Sequence, residues 1–278
     1  MIRQFTLTNA LGAEFSLMNA DNGALFQPSG LGYADVTEYE QVGEIFAPLT
    51  QRFGQQIVAG TMVFGEQPYP KYLTFTKFCQ HSPLSLVYET DAGTYQIPVR
   101  LTKIEKGDTD GWTYLECPVE FTALARMYKT VTANNSGSAG GGKIYDYEYD
   151  YIYGDFVADT VTIDSDSVTS SPCRISIFGP CTQPTWRHYL DGNPVATGYY
   201  NGTIPQNHKL VIDTTSMPYS IQEQDLSDNL IADRYELCDF STERFFLLEY
   251  GHNTISVSHS DPDNIRLMVE GYIFYETV

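Results

Sequence analysis

Residues 47–64 read APLTQRFGQQIVAGTMVF. Pro48 fixes φ and lacks a backbone donor, so it is predicted to start this segment in a turn outside any strand ladder. The β-favouring residues that follow predict a strand over residues 56–64. Gly54 and Gly60 interrupt the segment, which indicates a bulge or the close approach of another backbone. The segment is therefore predicted to be a turn followed by an irregular strand.

A short amphipathic helix is predicted after this strand. Tyr72, Phe75, Phe78 and Cys79 recur at three- and four-residue steps, which places them on one helical face. A Ser-Pro pair ends the helix, and residues 84–88, LSLVY, predict the next strand. The first half of the chain is therefore predicted to be mainly β with one short helix.

Strands are predicted along the whole chain. In the first half they cover residues 3–8, 56–64, 84–89, 95–104 and 112–124. Turn residues at 107–111 predict that 95–104 and 112–124 pair as a hairpin. In the second half the predicted strands are 157–163, 173–178, 185–190, 209–213, 245–250, 254–258 and 265–275, with hairpin-type turns at 191–193, 201–202 and 251–253. Many short strands joined by such turns predict a β-sandwich or jelly roll.

A Gly/Ser-rich run divides the chain. Residues 133–142 read ANNSGSAGGG, a composition typical of a flexible connection without packing capacity. We predict a first domain over residues 1–132, a linker over 133–144 and a second domain over 145–278. A long loop inside one domain is the alternative.

Tyrosine alternates with other residues directly after the linker. Residues 145–153 read YDYEYDYIY, so Tyr145, Tyr147, Tyr149 and Tyr151 would share one face of a strand. The strand is either half-buried with an acidic solvent face, or an aromatic ladder at a subunit or partner contact.

Three later aromatic residues are assigned by their position. Trp186 lies inside a predicted strand and is expected in the core. Tyr199 and Tyr200 precede the Asn201-Gly202 turn and are predicted to be exposed, where they would contact a partner or stack on a sugar.

The charge is strongly acidic and unevenly placed. The formal net charge is −19, with 9 Lys/Arg and 14 Asp/Glu in residues 1–130 against 7 and 21 in residues 131–278. Such a chain is not expected to bind nucleic acid through its phosphates, because counterion release would be absent. The acidity favours solubility, with a cation site or a basic partner as alternatives.

The cysteines and the apolar runs indicate the cellular compartment in which the chain is expected to be made. Five widely spaced cysteines without a Cys-x-x-Cys pair predict buried thiols made in a reducing cytoplasm. The first eight residues alternate like a strand, so no secretory leader is predicted. No run of 18 apolar residues occurs, so no membrane insertion is predicted.

Sequence motifs of catalysis or cofactor binding are missing from the chain. It has no nucleophile elbow, Walker loop, dinucleotide fingerprint or His-Glu-x-x-His helix. A zinc site from Cys173, Cys181 and His188 can be drawn, but residues that fill the sheet are the favoured interpretation. We therefore predict no enzyme, no catalytic residue, no cofactor and no metal, with a carboxylate-lined glycosidase cleft as the enzymatic alternative.

Four segments resemble the distal tail protein family of siphophages, long-tailed bacteriophages that infect mainly Gram-positive hosts. They are PLTQR at 48–52, GQQIVAGTMVF at 54–64, YLTFTKF at 72–78 and FLLEYGHNTI at 246–255. The resemblance implies a β-sandwich or barrel-like first domain that closes into a six-membered ring. It also implies a galectin-like or jelly-roll second domain that projects outward.

The resemblance further implies a structural role at the virion tail tip, after assembly in the cytoplasm of the host bacterium. The ring would be a baseplate hub that joins the major tail tube protein to the tail-tip or tail-associated lysin protein. DNA would only pass through its lumen, and the second domain would offer a platform for receptor-binding or baseplate proteins.

Ring contacts are predicted where long strand edges can pair with a neighbouring copy. The candidate segments are residues 54–64 and the hairpin 95–124. The candidate side chains are Gln55, Gln56, Ile57, Val58, Thr61, Met62 and Phe64. A carbohydrate-binding module for adhesion to the host cell wall is the alternative function.

Overall fold

The computed structural model describes residues 3–19, 22–33, 35–109, 114–135, 159–239, 241–259 and 266–277. Within these ranges the chain is mainly β, with one α-helix, which confirms the predicted fold class. Two compact units form: unit 1 is Met1–Lys129 with Phe274–Val278, and unit 2 is Thr130–Ile273.

Unit 1 contains ten strands and the helix, and an eleventh strand spans its boundary. The strands are β1 Gln4–Thr8, β2 Glu14–Ser16, β3 Met18–Asn19, β4 Gly23–Ser29, β5 Asp35–Val42, β6 Ile45–Phe53, β7 Ile57–Phe64, β8 Leu84–Thr90, β9 Gly93–Ile104 and β10 Leu115–Ala123. Helix α1 is Pro68–Gln80, and strand β11 is Met127–Asn135. Strands β9, β10, β7, β4 and β3 are successive neighbours, and β8 joins β9 to β1.

The core of unit 1 forms between this sheet and α1. Phe75 of α1 is buried, with its ring centre 5.8 Å from that of Phe64 and 5.2 Å from that of Phe15. Cys79 is buried on the same side, while Tyr72 and Phe78 are partly buried against the core. The predicted helical face is therefore confirmed.

Most strands predicted in unit 1 are confirmed within a few residues. The β9–β10 hairpin forms, with a register shift beside Phe121. A Cβ on Gly60 would lie 2.9 Å from the Phe26 carbonyl oxygen, so the predicted close backbone approach is also confirmed.

The prediction for Pro48 is wrong. Pro48 lies inside β6, opposite Tyr39 of β5, next to a register shift. The missing N–H is tolerated because β5 and β6 form a two-stranded sheet, where proline can sit at an edge or bulge. Residues 47–53 are therefore strand, and the interruption before β7 is residues 54–56.

Unit 2 is built from antiparallel strands. They are β12 Asp159–Ser165, β13 Cys173–Phe178, β14 Cys181–Thr182, β15 Thr185–Leu190, β16 Asn193–Tyr199, β17 Thr203–Ile204, β18 His208–Asp213, β19 Ser220–Asp225, β20 Leu230–Asp233, β21 Gly251–Ser258 and β22 Arg266–Tyr275, of which the last two residues belong to unit 1. One sheet has the order β20-β19-β18-β13-β22 and another the order β12-β21-β15-β16. A Cβ on Gly271 of β22 would lie 3.6 Å from Ile163 of β12, so the two sheets face each other as the predicted sandwich requires.

Two predicted turns and one predicted strand in unit 2 are wrong. Residues 245–250 contribute only an isolated bridge between Leu248 and Ser171, and residues 251–253 begin β21 instead of forming a turn. Gly251 was expected to mark a turn, but it is the first residue of a strand, with a φ of +116°. A Cβ at this position would lie 2.9 Å from the Asp191 carboxylate, so glycine is required there. Asn201-Gly202 joins strands that do not pair with each other. The turn at Asp191-Gly192 does close a hairpin, between β15 and β16.

The predicted core position of Trp186 is confirmed. Trp186 is fully buried and its Nε1 donates to the Arg244 carbonyl oxygen at 2.9 Å. A Cβ on Gly198 would lie 2.1 Å from the indole, so glycine makes room for this ring.

The boundaries of the units differ from the predicted ones by short segments. Residues 133–135 of the predicted linker end β11, and residues 136–144 lie outside the described ranges. The chain end belongs to unit 1, where the Tyr275 ring packs 5.3 Å from that of Tyr95 and Glu276 accepts from Arg126 at 3.1 Å.

Candidate interaction surfaces

The seven predicted ring-contact side chains fall on opposite sides of unit 1. Alternate residues of a strand face opposite sides of the sheet. Val58, Met62 and Phe64 point into the core and are fully buried. Gln56 is also buried, and its Nε2 donates to the Gly32 carbonyl oxygen at 2.7 Å. These four side chains are therefore not on the surface of the single chain, and their part in a ring contact stays a prediction.

The other three predicted side chains are accessible. Gln55 is exposed, Ile57 is 48% exposed, and Thr61 is half-buried opposite Phe26 of β4, which is 50% exposed. We call the side of the sheet formed by Phe26, Ile57 and Thr61 the outer face. A ring contact through the outer face stays a prediction.

The strand edges that were expected to pair with a neighbour are partly occupied. Strand β7 pairs with β10 on one side and β4 on the other. Strand β8 pairs with β9 only as far as Val99, so among the described residues β9 has no partner on that side beyond Val99. Pairing with a neighbour through residues 54–64 or the 95–124 hairpin stays a prediction.

A second hairpin of unit 1 carries several exposed apolar side chains. Strands β5 and β6, which we call the hairpin arm, pair from Asp35↔Phe53 to Val42↔Ile45. The register places Val36, Val42 and Ile45 on one face, and Tyr39 and Phe46 on the other. All five are exposed, from 42% for Val36 to 69% for Phe46.

The hairpin arm is expected to need a surface that packs against it. A lone two-stranded hairpin is marginally stable in water, and no third strand pairs with it among the described residues. Its base is held by Phe53, whose ring centre lies 4.4 Å from the Arg126 guanidinium. The sequence signal for the arm was the β-favouring residues Val36, Thr37, Tyr39 and Val42, a Gly-Glu turn, and then an apolar return strand. The arm was not predicted because Pro48 was expected to lie outside any strand.

The aromatic residues that were predicted as contacts in the second half also differ in their burial. Tyr200 is 1% exposed, and burial raises the pKa of its hydroxyl. Its predicted exposure is wrong because the turn that follows it folds back, with Gly202 against its ring. Tyr199 is half-buried and stays a candidate. Tyr145, Tyr147, Tyr149 and Tyr151 lie outside the described residues.

One buried acidic side chain joins β18 and β19 of unit 2 to the residue that follows β20. Glu223 of β19 is bonded through one carboxylate oxygen to His208 Nδ1, and the other accepts from Arg234 Nη2 at 2.6 Å. Burial disfavours the charge, but the bonds from His208 and Arg234 outweigh it and hold the pKa of Glu223 below its ordinary value. Because both oxygens are engaged, the cluster stabilises the sheet instead of presenting a reactive group.

One histidine is buried in unit 2 without a partner for one of its ring nitrogens among the described residues. His188 is fully buried and stacks on Phe246, with ring centres 4.2 Å apart. Its Nε2 lies 3.0 Å from Asn253 Oδ1, which also accepts from the Glu249 N–H, so Nε2–H is the donor. Nδ1 has no hydrogen-bond partner among the described residues. Burial lowers the pKa of His188.

We expect acid to weaken unit 2 through His188. Below pH about 6.5 the unfolded chain binds a proton that the folded chain rejects, so the free energy of unfolding falls by up to about 1.4 kcal/mol per pH unit. His188→Gln keeps a donor for Asn253 and should flatten this slope in urea unfolding between pH 7 and 5. Asp164 raises the pKa of His252, so protonation of His252 raises the free energy of unfolding as the pH falls, which is opposite to the effect of His188. His252→Gln is therefore the matched control. Equal slopes for His188→Gln and the unaltered chain would contradict the assignment.

The five cysteines confirm the prediction of buried thiols. All five are buried, and burial raises the pKa of Cys79 and Cys173 to about 12 and that of Cys238 to about 11. We expect a thiol reagent to modify fewer than about one thiol per folded chain at pH 8, and five in denaturant, because the thiolate is the reactive form. Rapid modification of several thiols before unfolding would show that the strands around them open.

Metal and membrane sites were sought in the described ranges. No group of three or more His, Cys, Asp or Glu side chains is arranged there to hold a metal ion. No helix in the same ranges is both long and apolar enough to cross a membrane.

Comparisons with known proteins give one family match, over the first half of the chain, and several structural matches. Residues 4–124 match the sequence model of the family described as distal tail protein, N-terminal domain. No curated protein matches the chain. A chain of the phage P2 baseplate in its activated conformation with Ca is similar at 17% identity, with 100% of both chains covered and a TM-score of 0.64, and the form with Sr gives the same values. SPP1 Dit (gp 19.1), described as a paradigm of hub adsorption apparatus in Gram-positive infecting phages, is 9% identical over 96% of this chain and 98% of its own, with a TM-score of 0.64.

These similarities concern the fold of the chain and the family of its first half. The structural matches share the mainly β fold of this chain over 96% to 100% of its length. Residues 4–124 match the N-terminal domain of the distal tail protein family. The family predicted from the motifs at 48–78 is thereby confirmed, while the run at 246–255 lies outside the matched residues.

Proposed function

We propose that this chain is a structural hub at the distal end of a phage tail, built as a ring of six copies through unit 1. The observation that carries the proposal is the hairpin arm: it lies within the segment that matches the family, and both of its faces carry exposed apolar side chains. A hairpin of this kind is stable when another chain covers it.

Two different surfaces of unit 1 suit a ring. A contact between unlike patches generates a ring when its rotation closes. The hairpin arm supplies one patch, and the outer face supplies another, with Phe26 and Ile57 about half exposed. We infer that the arm of one copy packs on the outer face of the next.

The ring would join the major tail tube protein to the tail-tip or tail-associated lysin protein. DNA would pass through its lumen without binding, as the acidic charge favours. Receptor-binding or baseplate proteins would dock on unit 2, and the particle would assemble in the cytoplasm of the host bacterium. In this role the chain is a scaffold and not an enzyme, and Glu223, the buried acid of unit 2, has both carboxylate oxygens bonded.

Labelling of intact particles tests this placement. Antibody fragments raised against the purified chain should decorate the distal tip of the tail in electron micrographs, at the junction of tube and tip. Fragments raised against the tube protein serve as the control and should decorate the shaft. Label confined to the capsid or the shaft would contradict the proposed position.

A further inference from the structure

Strand β20 presents an open apolar edge on unit 2. It ends the β20-β19-β18-β13-β22 sheet and pairs only with β19, through Gln222↔Asp233, Glu223↔Ala232 and Gln224↔Leu230. No strand lies on its other side among the described residues. Leu230 is 60% exposed and Ile231 is 45% exposed. The register shift at Gln224 leaves Ile231 without a paired residue on β19. A sheet edge can accept an added strand through its free backbone groups, with alternate side chains setting the specificity.

A group of aromatic rings follows this edge. The rings of Tyr235 and Tyr219 lie 6.0 and 5.3 Å from that of Phe245, and we call these three residues the aromatic platform. The Arg244 guanidinium lies 5.0 Å from the Tyr235 ring, and its Nη2 donates to the Tyr235 hydroxyl at 3.1 Å. The platform is therefore held in place before any partner arrives, and ordered aromatic surface is favoured at interfaces.

The surroundings of the edge are acidic. Residues 225–244 contain two basic residues, Arg234 and Arg244, and Arg234 is engaged by Glu223. The acidic residues of the same segment are Asp225, Asp228, Asp233, Glu236, Asp239 and Glu243. Asp228, Asp233 and Glu236 are exposed, and Asp228 accepts from Lys209 Nζ at 2.6 Å, so Asp233 and Glu236 are the acidic residues of β20 and its end that face no basic side chain of the described ranges through such a bond. The local field therefore favours a positively charged partner.

We propose that β20 is the docking edge for an extended, positively charged segment of another protein. The segment adds as a strand beside β20, its apolar side chains contact Leu230 and Ile231, and its Lys or Arg side chains face Asp233 and Glu236. A second copy of this chain does not suit the edge, because two acidic edges would face each other.

A synthetic peptide tests the proposal on the full chain. The probe is an eight-residue peptide of alternating Lys and Val, labelled for fluorescence anisotropy. We expect saturable binding that weakens at least tenfold between about 0.05 and 0.5 M salt, where charges are screened. A Glu-Val peptide of equal length should not bind. A Lys-Val peptide with methylated backbone nitrogens should bind at least tenfold more weakly, because it cannot complete the ladder.

Matched variants locate the site. Leu230→Lys with Ile231→Lys should weaken binding at least tenfold, whereas Val195→Lys, on the outer strand β16 of the other sheet and 50% exposed, should change it less than twofold. The double variant that combines Asp233→Asn with Glu236→Gln removes charge without changing shape, and it should weaken binding at least threefold. It keeps the proposal testable if the double lysine variant does not fold.

Several results would overturn the proposal. They are the absence of saturable binding, equal binding of the Glu-Val peptide, or equal losses for Val195→Lys and the β20 variants. A change in the mass of the free chain on altering β20 would instead assign the edge to a second copy. Ring formation by unit 1 is measured separately as mass, so either proposal can fail while the other stands.

Discussion

Replacing Ile45 and Phe46 with Asp is expected to convert a six-copy ring into single chains. The two side chains lie on opposite faces of the hairpin arm and are 67% and 69% exposed, so they are not part of the core of unit 1. In a ring, each introduced carboxylate would be buried against the neighbouring copy without a partner for its charge. Burying an unpaired charge is costly, so we expect association to weaken at least about 100-fold.

The control for this variant is a negative charge at another exposed apolar site. Leu11 lies in the turn after β1 and is 71% exposed, so Leu11→Asp should leave the ring intact. Both proteins should unfold at similar temperatures, because surface substitutions usually change stability by about 0.5 kcal/mol or less. A ring that survives the introduced charges at both arm positions would remove the arm from the interface.

Phe64→Ala is expected to lower the free energy of unfolding by about 3–5 kcal/mol, because it leaves a cavity in a packed core. Phe64 is fully buried between β7 and α1, with its ring centre 5.8 Å from that of Phe75 and 6.0 Å from that of Tyr72. Urea unfolding of the variant and the unaltered chain at pH 7 measures the difference.

Ile57→Ala is the matched control on the same strand. Ile57 is 48% exposed, so this change should cost about 1 kcal/mol or less in the single chain. If Ile57 belongs to the outer face that receives the arm, Ile57→Ala should weaken the ring more than it weakens the fold. A small loss of stability for Phe64→Ala would show that the assigned core position is incorrect.

The strands of the core could be predicted because their signal is local. Residues 56–64 favour strand structure, and the ring spacing in α1 marks one helical face. The hairpin arm was missed because Pro48 predicts a break in a ladder that it in fact tolerates at a two-stranded edge. A single sequence does not distinguish such an edge from the end of a strand.

The site predictions failed where a side chain's direction depends on the sheet around it. A strand predicts which residues share a face, but not which face the helix covers, so Ile57 and Phe64 could not be separated before the fold was known. Tyr200 carries a turn signal typical of exposed residues, yet the chain beyond it folds back over the ring. The β20 edge gave no sequence signal, because four residues are too few to show a period.

The mass of the purified chain in solution, measured by light scattering alone and with the tail tube protein, tests the central claim most directly. Six copies of a 31.2 kDa chain give about 187 kDa. The account predicts this mass for the chain alone or on addition of the tube protein, and its loss in the double variant that combines Ile45→Asp with Phe46→Asp. A mass that stays at one or two copies under both conditions would contradict it.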